Sequence, residues 1–214
     1  MSKTTNKNHG VLRKVKTLFW TLNLMLCIMM TCCSGKKTTE PPVIPPLPEE
    51  NFEYRMISNN TEIEITDYIG LYLEVGIPNI IAYRPVTSIG DESFYTKGIK
   101  SVTIPNSVAR IGIRAFSNNQ LTNVTIPDSV TEIGSSAFGN NQLTSVTIPN
   151  SVTVIARWAF SSNQLTSVTI GNDVKFPDDT NYGGFGGNFG SVYNGVGGTF
   201  TRPTHTSNTW TRMP

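Results

Sequence analysis

One unit of 22 residues is written three times in a row, and a fourth copy begins. SVTIPNSVARIGIRAFSNNQLT is followed by NVTIPDSVTEIGSSAFGNNQLT, then SVTIPNSVTVIARWAFSSNQLT, then SVTIGNDV. Val102, Val124, Val146 and Val168 keep the register without slip. A fixed period of this size means a stack of equivalent coils, because one unit cannot bury its own apolar face and needs neighbours on both sides.

Each copy reads L-x-x-V-x-I-P-x-x-V-x-x-I-G-x-x-A-F-x-x-N, and its L-x-x-L-x-L core is the strand half of a leucine-rich repeat. In the second copy the buried set is expected to be Leu121, Val124, Ile126, Val130, Ile133, Ala137 and Phe138. Val-Thr-Ile alternates inward and outward, as a strand with one buried side must. Pro127 lacks an N–H and ends the ladder. Ile133-Gly134 and Ala137-Phe138 suit a short helical or 3₁₀ turn on the outer side. Phe94, Phe116, Phe138 and Phe160 are expected to stack as one spine. The fold class that follows is a short leucine-rich repeat solenoid over 74–176, mostly β with short helical or 3₁₀ convex segments. Four or five coils at about 4.8 Å each make a block roughly 20–25 Å long, which needs a cap at each end.

The first 33 residues read as a lipoprotein signal peptide. Arg13, Lys14 and Lys16 precede an apolar run from Leu18 to Thr31, and no acid occurs before Glu40. That run suits a secretory signal and is short for a membrane span. It ends at Thr31-Cys32-Cys33-Ser34-Gly35, which resembles a bacterial lipobox with Cys33 (or Cys32) as the lipidated residue. An ordinary signal peptide or a retained anchor helix is the alternative. All three cysteines lie here, so the folded part has no disulfide. Losing the leader removes five of the 17 basic residues and leaves 12 against 15 acidic, a net charge of −3. No basic stripe remains for a nucleic acid.

Residues 34–51 carry five prolines in eight positions and read as a Pro-rich tether of roughly 55 Å at about 3.1 Å per residue. Residues 52–73 form an N-terminal cap, with FEYRMI and EIEITDYIG as hairpin strands. Residues 75–94 are a degenerate first repeat: Ile77-Pro78 matches Ile104-Pro105, and Ile89-Gly90 matches Ile111-Gly112. The extra residues near 81–85 are expected as a loop. Residues 177–214 are read as a C-terminal cap, with strands around Phe200 and Trp210 joined by a turn at Pro203. Its aromatic cover is Phe176, Phe189, Tyr193, Phe200 and Trp210.

The residues offer little to a catalyst. Of two histidines, His9 lies in the leader and His205 in the cap turn. No Ser-His-Asp or Cys-His set can be assembled. Asp178-Asp179 lack the spacing of a calcium loop, and GGFGGNFG lacks the spacing and the lysine of a phosphate loop. No cofactor or metal is expected. The regular surface is the outward face of the strands, with Ser101, Asn123, Ser145 and Ser167 in one column and Thr103, Thr125, Thr147 and Thr169 in the next. It is either a solubilised sheet or a hydroxyl-rich contact face for protein or glycan. It lacks the aromatic and arginine anchors that carry affinity, so binding there would gain from many tethered copies. Asn118-Asn119-Gln120 and its copies are expected to satisfy backbone groups between coils.

The pattern L-T-S-V-T-I-P-x-S-V-T-x-I-G-x-x-A-F resembles the BspA-like leucine-rich repeat family, also called the Treponema pallidum type. The entry ITDYIG…IP…PVTSIG over 65–90 and the exit FTRP…TWT over 200–211 are similar to its members, so the likeness spans about 65–211. Departures are Asn119, Asn141 and Asn163 where many members have Cys, Ala156 for Gly, Trp158 for a small residue, and Gly171 for Pro. The resemblance implies a secreted or surface lipoprotein of the bacterial cell envelope. It implies a non-enzymatic adhesin or protein-interaction module, with host fibronectin, fibrinogen, host cells or other bacterial surfaces as partners. A periplasmic or surface scaffold without a host ligand is the other reading.

Overall fold

The computed structural model describes residues 44–177 and 182–214. The leader with Cys32 and Cys33, tether residues 34–43 and Asp178-Asp179 lie outside them. The chain opens with an antiparallel hairpin, β1 (Phe52–Ile57) and β2 (Glu62–Tyr68), followed by β3 (Glu74–Gly76) and a second hairpin, β4 (Ile80–Ile81) and β5 (Arg84–Ile89). The repeats supply β6 (Ser101–Thr103), β7 (Arg110–Ile111), β8 (Glu132–Ile133), β9 (Ser145–Ile148), β10 (Val154–Ile155) and β11 (Ser167–Ile170). The end is closed by α1 (Phe189–Tyr193), β12 (Gly198–Thr201) and β13 (Thr211–Arg212).

These elements form a capped leucine-rich repeat solenoid of about five turns. The register follows the period: Val75 pairs with Val102, Ile89 with Ile111, Ile111 with Ile133 and Val146 with Val168, all in parallel. The degenerate first coil is therefore in step with the rest. Its extra residues are not a loop but the β4–β5 hairpin, whose tip Ala82-Tyr83 has positive φ at both positions. A two-residue hairpin loop of type I′ requires that geometry.

Each coil bonds to its neighbours on several sides. The Ile-Gly segments, expected as part of an outer turn, instead form short parallel strands in a continuous sheet ordered β1-β2-β5-β7-β8-β10. A Cβ at Gly134 would fall 2.6 Å from the Gly112 carbonyl carbon, so the coils approach too closely there for a side chain. The Ala-Phe segments are the outer turns, closed by i→i+3 bonds such as Ser117 N–H to the Arg114 carbonyl at 3.1 Å. Their coil-to-coil bonds run from Phe116 N–H to Ala137 O and from Phe138 N–H to Ala159 O, both 2.8 Å. The Val-Thr-Ile side is less regular. It splits into β3-β6 and β13-β12-β11-β9, and Asn123–Ile126 of the second copy makes no ladder bond to either neighbour among the described residues. Its side chains still alternate inward and outward.

The core is one continuous cluster, and it includes every residue expected in the second copy. The aromatic spine is longer than expected. Phe94, Phe116, Phe138 and Phe160 stack at centroid distances of 4.8, 5.3 and 5.4 Å. Tyr68 extends it at 5.5 Å on one side and Phe185 at 5.5 Å on the other. The N-terminal hairpin caps by adding strands to the sheet. The C-terminal cap does the same with β12, laid antiparallel on β11. It also covers the last layer with buried Phe189, Tyr193, Phe200 and Trp210, while Phe176 is half-buried.

Candidate functional site

The strand face is open only in its middle. Asn123, Thr125, Ser145 and Thr147 are exposed, whereas Ser101, Thr103, Ser167 and Thr169 are half-buried. At the far end β12 accounts for the cover, with the Thr169 and Thr199 hydroxyls 2.9 Å apart. At the near end the cover is chain that the sequence assigns to the tether. The Ile44 N–H donates to the Thr103 hydroxyl at 3.3 Å, and the Leu47 N–H donates to the Gly76 carbonyl at 2.8 Å. Leu47 packs against the core. From Ile44 onward the Pro-rich stretch is thus part of the folded body.

The other faces hold the charge. Arg110 lies between Asp91 and Glu132 at 3.8 and 3.7 Å, and Arg114 meets Glu92 at 3.1 Å. Arg55 reaches the buried Glu64 at 2.5 Å, and Ser88 donates to the same carboxylate at 3.2 Å. A shallow cleft of about 220 Å³ is lined by Arg55, Glu64, Thr66, Gly90, Asp91 and Arg110. It holds paired charges and one hydroxyl, with no cysteine or histidine beside them. His205, the one histidine among the described residues, is exposed in the turn after β12. No group of three metal-ligating side chains comes together among the described residues.

The groups with displaced pKa values are fasteners. Burial raises the Tyr68 phenol, which accepts the Tyr72 N–H and donates to the Tyr72 carbonyl, both at 3.0 Å. Burial also raises Tyr193, whose hydroxyl accepts from Val174 N–H at 2.8 Å and donates to Gly171 O at 3.0 Å. Burial lowers Arg202, which donates to the Leu165 carbonyl at 2.6 Å and lies 4.5 Å from the Trp210 ring centre. Tyr193 and Arg202 hold the C-terminal cap to the solenoid, whereas the Tyr68 hydroxyl ties Tyr72 within the N-terminal cap.

The asparagine expectation holds for one of the two neighbours. Asn119, Asn141 and Asn163 each accept one N–H from the preceding coil and donate to three carbonyls. Asn118 and Asn140 instead hold left-handed turn positions, with φ of 59° and 53°. The sequence reading also passed over the ridge of outer turns. Ile113, Arg114, Arg157 and Trp158 are exposed there, with the Arg157 guanidinium 4.0 Å from the Trp158 ring centre. Their signal was that these positions differ between near-identical copies: Ile-Arg, Ser-Ser, Arg-Trp.

Residues 72–182, just over half of the chain, match the model of the BspA type leucine rich repeat region, with six copies. The chain belongs to the BspA-type leucine-rich repeat family. Among solved structures, this BspA-type chain is similar to the T. pallidum leucine rich repeat protein at 20% identity, over 55% of this chain and 78% of that one, with a TM-score of 0.44. A leucine-rich repeat protein of Bacteroides capillosus is 28% identical over 48% and 80%, with a TM-score of 0.44. A leucine rich cell surface protein of Faecalibacterium prausnitzii is 25% identical over 64% and 45%, with a TM-score of 0.43. No curated protein matches the chain in sequence. A BspA-type repeat array is, in general, a protein-interaction module.

Proposed function

We propose that this chain is a lipid-anchored protein of the bacterial cell envelope that binds other proteins without catalysis. In this reading Cys33 (or Cys32) carries the lipid, and the solenoid is an adhesin for host matrix proteins or neighbouring cell surfaces. The observation that carries it is an uncharged face, Asn123, Thr125, Ser145 and Thr147, left open in the middle of a solenoid capped at both ends. Exposed hydroxyls and an amide at fixed spacing offer repeated hydrogen bonds to a partner. The leader and the family membership support the placement.

Brief proteinase K treatment of intact cells tests it. An adhesin is cut, and cutting fails to reach a periplasmic scaffold. Metabolic fatty-acid labelling tests the anchor. Cys32→Ser with Cys33→Ser must abolish both label and membrane retention, and a variant that stays labelled and membrane-bound would refute these cysteines as the anchor. A second reading puts the contact on the outer-turn ridge. Arg157 stacked on Trp158 favours it, because those residue types carry most binding energy at protein interfaces.

A further inference from the structure

The first coil departs from the repeat at both outward strand positions, Glu74 and Gly76, and the second of these removes a side chain. Gly76 pairs with Thr103 and so stands where the later coils have Thr103, Thr125, Thr147 and Thr169. A Cβ at Gly76 would overlap the Pro45 carbonyl oxygen and crowd the Pro46 Cα. The coil that lacks the threonine is thus the one crossed by the proline pair. The crossing is fastened on both sides of the prolines, by Ile44 N–H to the Thr103 hydroxyl and by Leu47 N–H to the Gly76 carbonyl. Leu47 packs into the core margin, and Glu49 accepts the Ala82 N–H at 3.2 Å. Prolines suit this position, since they hold an extended backbone and need no partner for an N–H.

We infer that Gly76 creates a seat on the strand face for an extended proline-bearing segment, filled here by the chain's own residues 44–47, which close the first rungs of that face to other partners. Thr103 lies under this strap, Ser101 in the same rung is half-buried, and the accessible face begins at Asn123.

The test uses the chain from Ser34, which contains the whole described body and no native cysteine. Single cysteines are placed at Thr103 and, as an open reference, at Thr147. Maleimide labelling under native conditions should be about tenfold slower at position 103, because labelling there waits for local opening of the strap. Gly76→Thr restores the repeat residue and fills the seat, and it should bring the two rates to within about twofold. Leu47→Asp removes the fastening without altering a coil and should do the same. Circular dichroism and an unchanged rate at position 147 separate strap release from unfolding. Equal rates at both positions in the parent would overturn the inference. So would slow labelling at 103 that persists in both Gly76→Thr and Leu47→Asp. Neither result bears on lipidation, which the fatty-acid label reads separately.

Discussion

Asn140 and Asn141 are adjacent and identical, yet the structure assigns them unequal energies. Asn141 is 7% exposed; its Oδ1 accepts the Leu121 N–H at 3.0 Å, and its Nδ2 donates to the carbonyls of Phe116, Phe138 and Gly139 at 3.0, 3.1 and 3.2 Å. Asn141→Ala removes four bonds but orphans one group. Phe116 O keeps the Asn119 amide, Phe138 O keeps the Asn163 amide, and Gly139 O keeps the Asn118 N–H. The Leu121 N–H alone is stranded in the core, at about 1–3 kcal/mol, and the weakened carbonyl bonds add about 1 kcal/mol, for a total near 3 kcal/mol. For a body of this size that lowers Tm by about 6–12 °C. Asn140 is exposed at φ 53°. Asn140→Ala should cost only the left-handed backbone penalty, about 1 kcal/mol, and Asn140→Gly should stay within about 0.5 kcal/mol of the parent. Urea unfolding followed by circular dichroism measures all three. Equal losses for the two alanine variants, or a loss under about 1 kcal/mol for Asn141→Ala, would refute the ladder argument.

Other outcomes follow from the same geometry. Phe138→Ala should cost about 3–5 kcal/mol as the spine is cut, while Thr125→Ala stays within about 0.5 kcal/mol by the same unfolding assay. Replacing the hairpin tip by Ala82→Asn with Tyr83→Gly should stabilise by about 1–2 kcal/mol, because both residues sit at positive φ and Tyr83 is fully exposed. Alkali should destabilise the fold. Burial raises the folded Tyr68 and Tyr193 above their usual 10.0, so the unfolded chain gives up those protons first. Their contribution is intact below about pH 10 and lost as pH climbs through the raised folded values. Melts from pH 8 to 11 should show the fall, and Tyr68→Phe with Tyr193→Phe should flatten it.

The parts legible in the sequence are those the period enforces. Phe94 to Phe160 and the buried Val-x-Ile positions repeat every 22 residues, and stacking leaves them one arrangement. What escaped was either local or cross-coil. Ile111 and Ile133 form strands because the next coil supplies their partners, which no propensity within one copy reveals. Asn118 and Asn119 read alike as letters, yet one is an exposed left-handed turn residue and the other a buried bridge between coils. The strap was hidden because Pro45 and Pro46 signal an extended chain without saying what it lies on. Its signal was Gly76, one missing threonine in a column of five. The strap at one end and β12 at the other leave four of the eight strand-face side chains exposed. Whatever binds there meets two adjacent rungs.

The measurement that bears most directly on the proposed function is binding of the chain from Ser34 to immobilised fibronectin and fibrinogen, with the chain clustered on vesicles. It is run beside Thr125→Lys with Thr147→Lys, the two threonines that the strap and β12 leave exposed, and beside Arg157→Ala with Trp158→Ala. The account predicts that the parent binds, the folded lysine variant does not, and the ridge variant still does. No binding by the clustered parent to either protein would contradict the adhesin reading, and loss only in the ridge variant would contradict its placement on the strand face.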